Sequence, residues 1–298
     1  MRKQRRRRSR ALVGIVAAGT ALGVAGCDVV GGSSGSPDGG RTRARAVQVW
    51  NRSPASIAAV GDSITRGFDA CTVLSDCPEV SWATGTSEQV DSLAVRLLGR
   101  ARAVDRSWNY AQTGARMADL SGQLADAVVR RPELVTVMVG SNDACRSSVR
   151  AMTSVAKFRS QFEEALGTLR KALPKTQVYV ASVPNLKRLW SEGRTNPLGK
   201  QIWKLGICPS MLGDADDLTS AATLRRDRVQ QRVEDYNKVL AEVCAKDRRC
   251  RFDGGAVYQY RFGTEQLSHW DWFHPSTDGQ SKLAAIAYRT VTAEDPVD

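Results

Sequence analysis

Histidine is nearly absent from this chain: 298 residues include only two, His269 and His274, five positions apart near the C-terminus. The search for a general base working near neutral pH therefore starts there, because histidine's unperturbed pKa suits that work. No Cys-x-x-Cys occurs among the seven cysteines, which speaks against a zinc site, and no metal or cofactor is expected. No acidic residue precedes Asp28. There is no basic stripe interleaved with aromatics, so nucleic acid is not an expected partner. No internal repeat and no second linker interrupt the chain.

What is present begins with charge of one sign. The first ten residues carry seven positive charges, and an apolar run follows from Ala11 to Gly26. A basic stretch, a short apolar stretch and small residues at its end mark an export signal, with an uncleaved anchor as the alternative. A spanning helix needs about 20 apolar residues, so this run is short for one. The arginine run has no clear twin-arginine match, and the secretion route stays open. Without residues 1–26 the formal charge falls from +12 to +5, with 36 basic residues against 31 acidic. Most of the basic excess thus belongs to the signal, and the remainder is an ordinary mixed surface.

Residues 27–45 follow as a tether, rich in glycine and serine and unable to bury apolar area. Gly31 to Gly35 fits the Gly-x-Ser-x-Gly nucleophile elbow, but no strand precedes Ser33 and no helix follows it, so Ser33 is not a candidate. Residues 46–298, about 250 in all, suit one domain with a sizeable core.

Val24-Ala25-Gly26-Cys27 closes the apolar run and resembles the lipobox of bacterial lipoproteins. The resemblance implies that Cys27 is lipidated and becomes the first residue, anchoring the protein to the outer face of the cytoplasmic membrane. Six cysteines remain, an even number that implies disulfides in an exported chain, with 15 possible connectivities. Cys71/Cys77 and Cys244/Cys250 have the same close spacing and are expected to form local bridges, leaving Cys145 with Cys208.

Short apolar runs, Ile57–Val60, Leu134–Val139 and Val178–Ala181, read as buried strands. A further short strand is expected within 106–110. Thr86-Ser87-Glu88-Gln89 reads as a capping box opening a helix through Val90, Leu93 and Leu97. Helical spacing marks further helices over 117–130, from Phe158 to Leu173, from Val229 to Val243, and through Leu283, Ile286 and Val291. Strands alternating with helices give an α/β fold, a three-layer α/β/α sandwich around a central parallel sheet. In such sheets ligands bind at the carboxyl ends of the strands. Gly61-Asp62-Ser63, Asn109 to Gly114 and Gly140 to Asp143 all follow strands. Pro184 to Ser220 shows no clear periodicity and is long for a connection; it is expected to border the substrate cleft, pinned beside Asn142 by Cys145–Cys208.

Asp271 stands three residues before His274, where it can reach back to orient the ring. His269 has no such acid and reads as a surface residue. Four blocks then fall in order over about residues 55–292: Gly61-Asp62-Ser63-Ile64-Thr65, Gly114, Gly140-x-Asn142-Asp143, and Asp271-x-x-His274. Together they resemble the GDSL, or SGNH, hydrolases. Ile-Thr follows Ser63 where the name motif has Leu-Ser. Ser81 to Gly85, Asn142 to Cys145 and Trp270 to Ser276 further resemble the phospholipase B-like branch.

The resemblance implies Ser63 as nucleophile, His274 as base and Asp271 as its orienting partner. It further implies an oxyanion hole built from the Ser63 and Gly114 backbone N–H groups and the Asn142 side chain. Asp62 and Asp143 are expected to be structural anchors of their loops. The expected activity is hydrolysis of carboxylic esters, acyl lipids first, given the branch resemblance and the membrane anchor. The alternatives are O-acetyl ester hydrolysis on an acylated glycan, or a non-catalytic lipoprotein that binds lipid or glycan.

Overall fold

The structure, a computed structural model, describes residues 50–295. The expected export signal, Cys27 and the expected tether that includes Ser33 lie outside the described residues. Chain direction alternates strand and helix from the start. β1 (Ile57–Gly61) leads into a single turn, α1 (Ser63–Arg66). Two short helices follow, α2 (Leu93–Leu98) and α3 (Arg100–Arg106), then β2 (Ser107–Asn109) and α4 (Leu120–Val128). β3 (Leu134–Met138) ends at α5 (Ser141–Ala144), and the long α6 (Val155–Ala172) returns the chain to β4 (Gln177–Val180). α7 (Leu186–Gly193), α8 (Pro197–Trp203) and α9 (Pro209–Leu212) precede α10 (Ser220–Ala245). β5 (Cys250–Phe252), α11 (Ala256–Gln259) and α12 (Thr277–Thr292) complete the domain.

The five strands form one parallel sheet in the order β2-β1-β3-β4-β5. β1, β3 and β4 are buried along their whole length, which is why they read as continuous apolar runs rather than alternating ones. Helices flank the sheet: α4, α6 and α10 pack side by side, and α2 packs on α12. The chain leaves β1 toward β2 on one side, and β3 lies on the other. That reversal opens a crevice at the carboxyl ends of β1 and β3, where doubly wound sheets bind ligands. The Asp62 N–H donates to the Met138 carbonyl across it at 3.2 Å. Gly61 is required there: a Cβ would stand 2.2 Å from the Met138 oxygen, and φ is +148°. No helix among the described residues is long and apolar enough to cross a membrane.

Three expectations change. The helix expected after Thr86–Gln89 begins later, at Leu93, with Ser92 as its cap: Ser92 Oγ accepts the Val95 N–H at 3.2 Å and donates to the Gly85 carbonyl at 2.6 Å. Val90 is buried in a small satellite cluster with Cys77 and Val80, which removes it from the helix face. Residues 184–220 are three short helices rather than a plain connection. β5, which the pattern did not indicate, is three residues long with a charge at its centre. The Arg251 guanidinium is taken up by the Ala293 and Glu294 carbonyls (2.7 and 3.1 Å) and lies 4.5 Å over the Trp50 ring.

Candidate active site

Asp62 ends β1 and caps α1, one carboxyl oxygen accepting the Ile64 N–H at 3.0 Å. The cap starts the helical turn at Ser63 and so sets its side chain at the mouth of the crevice. Two glutamines from distant helices brace this corner. Gln123 closes a pair of bonds on Gly61, accepting from its N–H at 2.7 Å and donating to its carbonyl at 2.9 Å. Gln280, on α12, donates to the Ile64 carbonyl at 2.8 Å and accepts from the Trp82 N–H at 2.9 Å. The helix that follows His274 is thereby bonded to the turn that carries Ser63.

His274 Nε2 lies 2.8 Å from Ser63 Oγ, and His274 Nδ1 lies 2.5 Å from an Asp271 carboxyl oxygen. A proton on Nδ1, facing Asp271, leaves Nε2 free to accept the Ser63 O–H. The other Asp271 oxygen accepts the Phe273 and His274 backbone N–H groups, each at 2.9 Å, so this one carboxylate folds its own turn and holds the ring. Trp203 Nε1 donates to the Asp271 carbonyl at 2.7 Å. Trp272, between them, has φ of +50°, a sparsely populated conformation for a bulky residue. Phe68 and Phe273 pack against the imidazole with ring centroids 5.0 and 5.2 Å away.

Electrostatics favour an imidazole that readily takes a proton. Burial disfavours its charged form, but Asp271, then Asp69 and Asp62, outweigh that and raise His274 above its ordinary value. Burial likewise pushes the Asp271 carboxyl up, and the His274 charge and hydrogen bond overcome it, holding Asp271 below the usual carboxylate range. Asp62 has no hydrogen bond to the ring: burial outweighs the Ile64 N–H bond and the His274 charge and pushes it up to about 7, and its second oxygen is unpaired among the described residues.

Gly114 sits on an exposed turn with φ of +84°, where only open space surrounds it. Neither its N–H nor that of Ser63 has an acceptor among the described residues. Asn142 Nδ2 donates to the Ala115 carbonyl at 3.0 Å, joining the α5 turn to the Gly114 turn and leaving the amide a second N–H. Asp143 is buried and holds both neighbours, accepting from the Met117 N–H at 2.8 Å and Thr153 Oγ1 at 2.7 Å. Cys145 is bridged to Cys208, Cys71 to Cys77 and Cys244 to Cys250. The first of these ties residues 184–220 to the α5 turn, and the Trp203 bond ties them to the Asp271 turn. Arg226, fully buried under Trp190, fixes the same segment by donating to the Asp214 and Asp217 carbonyls at 2.7 Å. His269 is exposed and stands against Trp270, 4.2 Å between ring centroids.

Two groups among the described residues have metal-binding chemistry. Cys71 and Cys77 of the first are joined in a disulfide. In the second, Asp69, Asp271 and His274, the imidazole Nδ1 is committed to Asp271. The apolar crevice between Ile64, Leu189, Phe262, Leu267 and Phe273 holds about 10 Å³. A hollow of about 570 Å³, beside Arg170, Asp247 and Arg249, lies at the opposite ends of the strands.

No curated protein sequence matches this one. Solved structures similar to it include an alpha/beta hydrolase enzyme from the metagenome of Lake Arreo, Spain, at 18% identity, covering 80% of this chain and 94% of that one with a TM-score of 0.49. An extracellular lipase from Streptomyces rimosus is 20% identical, covering 80% and 99% of the two chains with a TM-score of 0.46. A family 3 carbohydrate esterase from Clostridium thermocellum is 15% identical, covering 78% and 93% with a TM-score of 0.47. The family model of the GDSL-like lipases and acylhydrolases matches residues 57–287. The chain belongs to that family and is an SGNH-type ester hydrolase.

Proposed function

We propose that the protein hydrolyses carboxylic esters through a Ser63 acyl-enzyme, with His274 as general base and Asp271 as its partner. The observation that carries this is the unbroken chain of contacts from Asp271 through His274 to Ser63 Oγ, 2.5 and 2.8 Å long. Ser63 Oγ bonds to the ester carbonyl carbon while its proton passes to His274 Nε2. The Asp271 carboxylate stabilises the imidazolium, which then protonates the departing alkoxide. Water, deprotonated by the same ring, releases the acid and restores Ser63. The oxyanion is assigned to the Ser63 and Gly114 N–H groups, which lack other acceptors, and to the spare N–H of Asn142. Losing one such donor typically costs about 10²–10³ in rate.

The proposed substrates are acyl lipids, in keeping with the phospholipase B-like motifs. Val73 and Leu74, 50% and 72% exposed on the disulfide-closed loop after α1, support an apolar substrate surface. A lipid anchor at Cys27 would hold the domain near a bilayer after export. The nearly filled crevice beside Ile64, the residue after Ser63, favours a second reading, a short-acyl esterase acting on acetylated glycan, since it has room for at most about one water. Initial rates on p-nitrophenyl esters from acetyl to palmitoyl, together with phosphatidylcholine vesicles and acetylated xylan, decide between them. The lipid reading expects rates that hold or rise beyond butyryl and release of fatty acid from vesicles. Activity confined to acetyl esters would overturn it in favour of the glycan.

A further inference from the structure

Asp271 reaches the His274 ring because the chain between them turns back on itself. The pivot is Trp272, whose φ of +50° lies in the left-handed region that a bulky side chain rarely adopts. In this turn the Phe273 and His274 N–H groups both meet one Asp271 carboxyl oxygen, while the other oxygen meets Nδ1. A conformation of this kind persists only where surrounding contacts over-determine it. One set of contacts centres on Ser268. Its N–H donates to the His274 carbonyl at 2.7 Å, its carbonyl accepts the Trp272 N–H at 2.8 Å, and its Oγ donates to the Asp69 carbonyl at 2.6 Å.

The second set comes from a segment distant in sequence. Trp203, at the end of α8 and buried, donates its indole N–H to the Asp271 carbonyl at 2.7 Å across 68 residues. No other donor reaches that carbonyl among the described residues. Two glycines make room for the tryptophans. A Cβ at Gly193, in α7, would stand 2.4 and 2.7 Å from Trp203 ring atoms and 3.0 Å from the Trp272 carbonyl oxygen. A Cβ at Gly199, in α8, would stand 3.2 Å from three atoms of the Trp272 ring. α7 and α8 thus form a saddle fitted closely to Asp271 and Trp272.

The saddle is itself held from elsewhere. Five residues after Trp203, Cys208 is bridged to Cys145. The Ser210 N–H donates to the Arg146 carbonyl at 3.0 Å, and Ser210 Oγ donates to the Ala144 carbonyl at 2.8 Å. These bonds fasten the segment to the end of α5, so its position does not depend on the turn it supports. Packing alone would be served by any large apolar side chain at 203; the indole adds one donor, and that donor meets the one carbonyl that belongs to Asp271.

We propose that Trp203 is a positioning residue of this active site: its bond to the Asp271 carbonyl, backed by Gly193 and Gly199, fixes the Asp271–Trp272 peptide so that the Asp271 carboxylate stays on His274 Nδ1. The proposal rests on the reading of Ser63, His274 and Asp271 as the catalytic set. Trp203 acts through the Asp271 backbone. Without its N–H a buried carbonyl is left unsatisfied, the left-handed pivot relaxes, and the carboxylate drifts from the ring. The imidazolium formed in the transition state then has a weaker partner, while substrate binding is untouched, so the loss falls on kcat. The carboxyls that act on the ring are Asp271 from its own turn, Asp69 from the loop after α1 and Asp62 from the end of β1, and all three favour its protonated form. With Asp271 further away, His274 takes its proton at lower pH, and the acid limb of activity moves down with it.

The test compares Trp203→Phe, which keeps a ring on the saddle and loses the donor, with Gly199→Ala, which presses on the Trp272 ring and keeps the donor. Leu198→Ser, at an exposed position of α8, is the control. Fluorophosphonate labelling of the wild-type protein is run first, then kcat and KM for p-nitrophenyl butyrate across pH 5 to 9, with denaturant midpoints to follow stability. For Trp203→Phe, kcat falls about tenfold with KM within about twofold, and the acid limb of kcat/KM moves to lower pH by about 0.3 unit or more. Gly199→Ala changes kcat and the acid limb in the same direction, and Leu198→Ser matches the wild type. If Trp203→Phe does not fold, Gly199→Ala decides on the same two readouts. A wild-type kcat and acid limb in these variants, with any loss confined to stability, would overturn the proposal and leave the catalytic set standing. Absence of wild-type labelling and turnover would overturn the catalytic set, and this proposal with it.

Discussion

Replacing Asp271 by Asn alters a single group and inverts the hydrogen bonding of the site. The Asp271 carboxylate accepts from His274 Nδ1 at 2.5 Å and from two backbone N–H groups at 2.9 Å. In the variant the amide oxygen can keep the two backbone bonds, which leaves the NH₂ facing Nδ1. Nδ1 must then accept, the ring proton moves to Nε2, and Nε2 donates toward Ser63 Oγ when it should accept. The charge on the carboxylate is lost as well. At 2.5 Å and an effective dielectric constant of about 20, that charge interacts with an imidazolium by roughly 6–7 kcal/mol. Only the part not compensated by Asp69, Asp62 and rearranged dipoles appears in the rate. The expected loss in kcat is about 10⁴, or roughly 5 kcal/mol, with KM nearly unchanged. Stopped-flow and steady-state hydrolysis of p-nitrophenyl butyrate measure it, with the thermal transition checked for folding. A folded Asp271→Asn protein retaining more than a tenth of the wild-type kcat would refute this account of the His274 turn.

The remaining expectations concern the histidines, acidity and disulfides. His274→Ala should lose about 10³-fold or more in kcat, whereas His269→Ala, exposed against Trp270, should stay within about twofold; the reverse ranking of the two rates would overturn the assignment. Activity should fall on the acid side as His274 takes a proton, with the midpoint of kcat/KM above 6.5, because neighbouring carboxylates raise its pKa; a limb centred well below 6 would contradict this. Asp62 is raised by burial to about 7, so the folded state holds a proton there that the unfolded chain releases near 4. Stability should decline as pH rises from about 4 to 7, and the decline should be smaller in Asp62→Asn, as read by urea titration at both limits. Breaking Cys145–Cys208, which spans 63 residues, should cost about 4 kcal/mol, against about 2–3 kcal/mol for the six-residue Cys244–Cys250 link. Denaturant midpoints of the Cys→Ser pairs report the order, and an inverted order would count against the loop-entropy account.

The parts of the fold that announced themselves are those where burial is uniform. β1 and β3 lie in the centre of a parallel sheet with helices on both sides, and so they show as unbroken apolar runs. β5 escaped because Arg251 occupies its middle, and nothing in the sequence tells of the three carbonyls and the Trp50 ring that receive the guanidinium. Ser92 and Thr86 are both plausible caps by residue type; the burial of Val90 with Cys77 and Val80, a contact distant in sequence, selects Ser92. Within the site, His274 and Asp271 stood out by spacing and by the rarity of histidine, and Ser63 by the resemblance of the block Gly61-Asp62-Ser63. Their supports did not. Gln123 and Gln280 act through pairs of contacts at separations of 62, and of 198 and 216, residues, which leave no pattern. Asp69 lies six residues after Ser63, but its nearness to Asp271 exists only once the chain has folded.

The most direct test of the central claim is to treat the purified protein with a fluorophosphonate and locate the adduct by mass spectrometry of its peptides. The account predicts one phosphonylated residue, Ser63, with labelling lost in Ser63→Ala and slowed by orders of magnitude in His274→Ala. An adduct on any other residue, or undiminished labelling of Ser63→Ala, would contradict it.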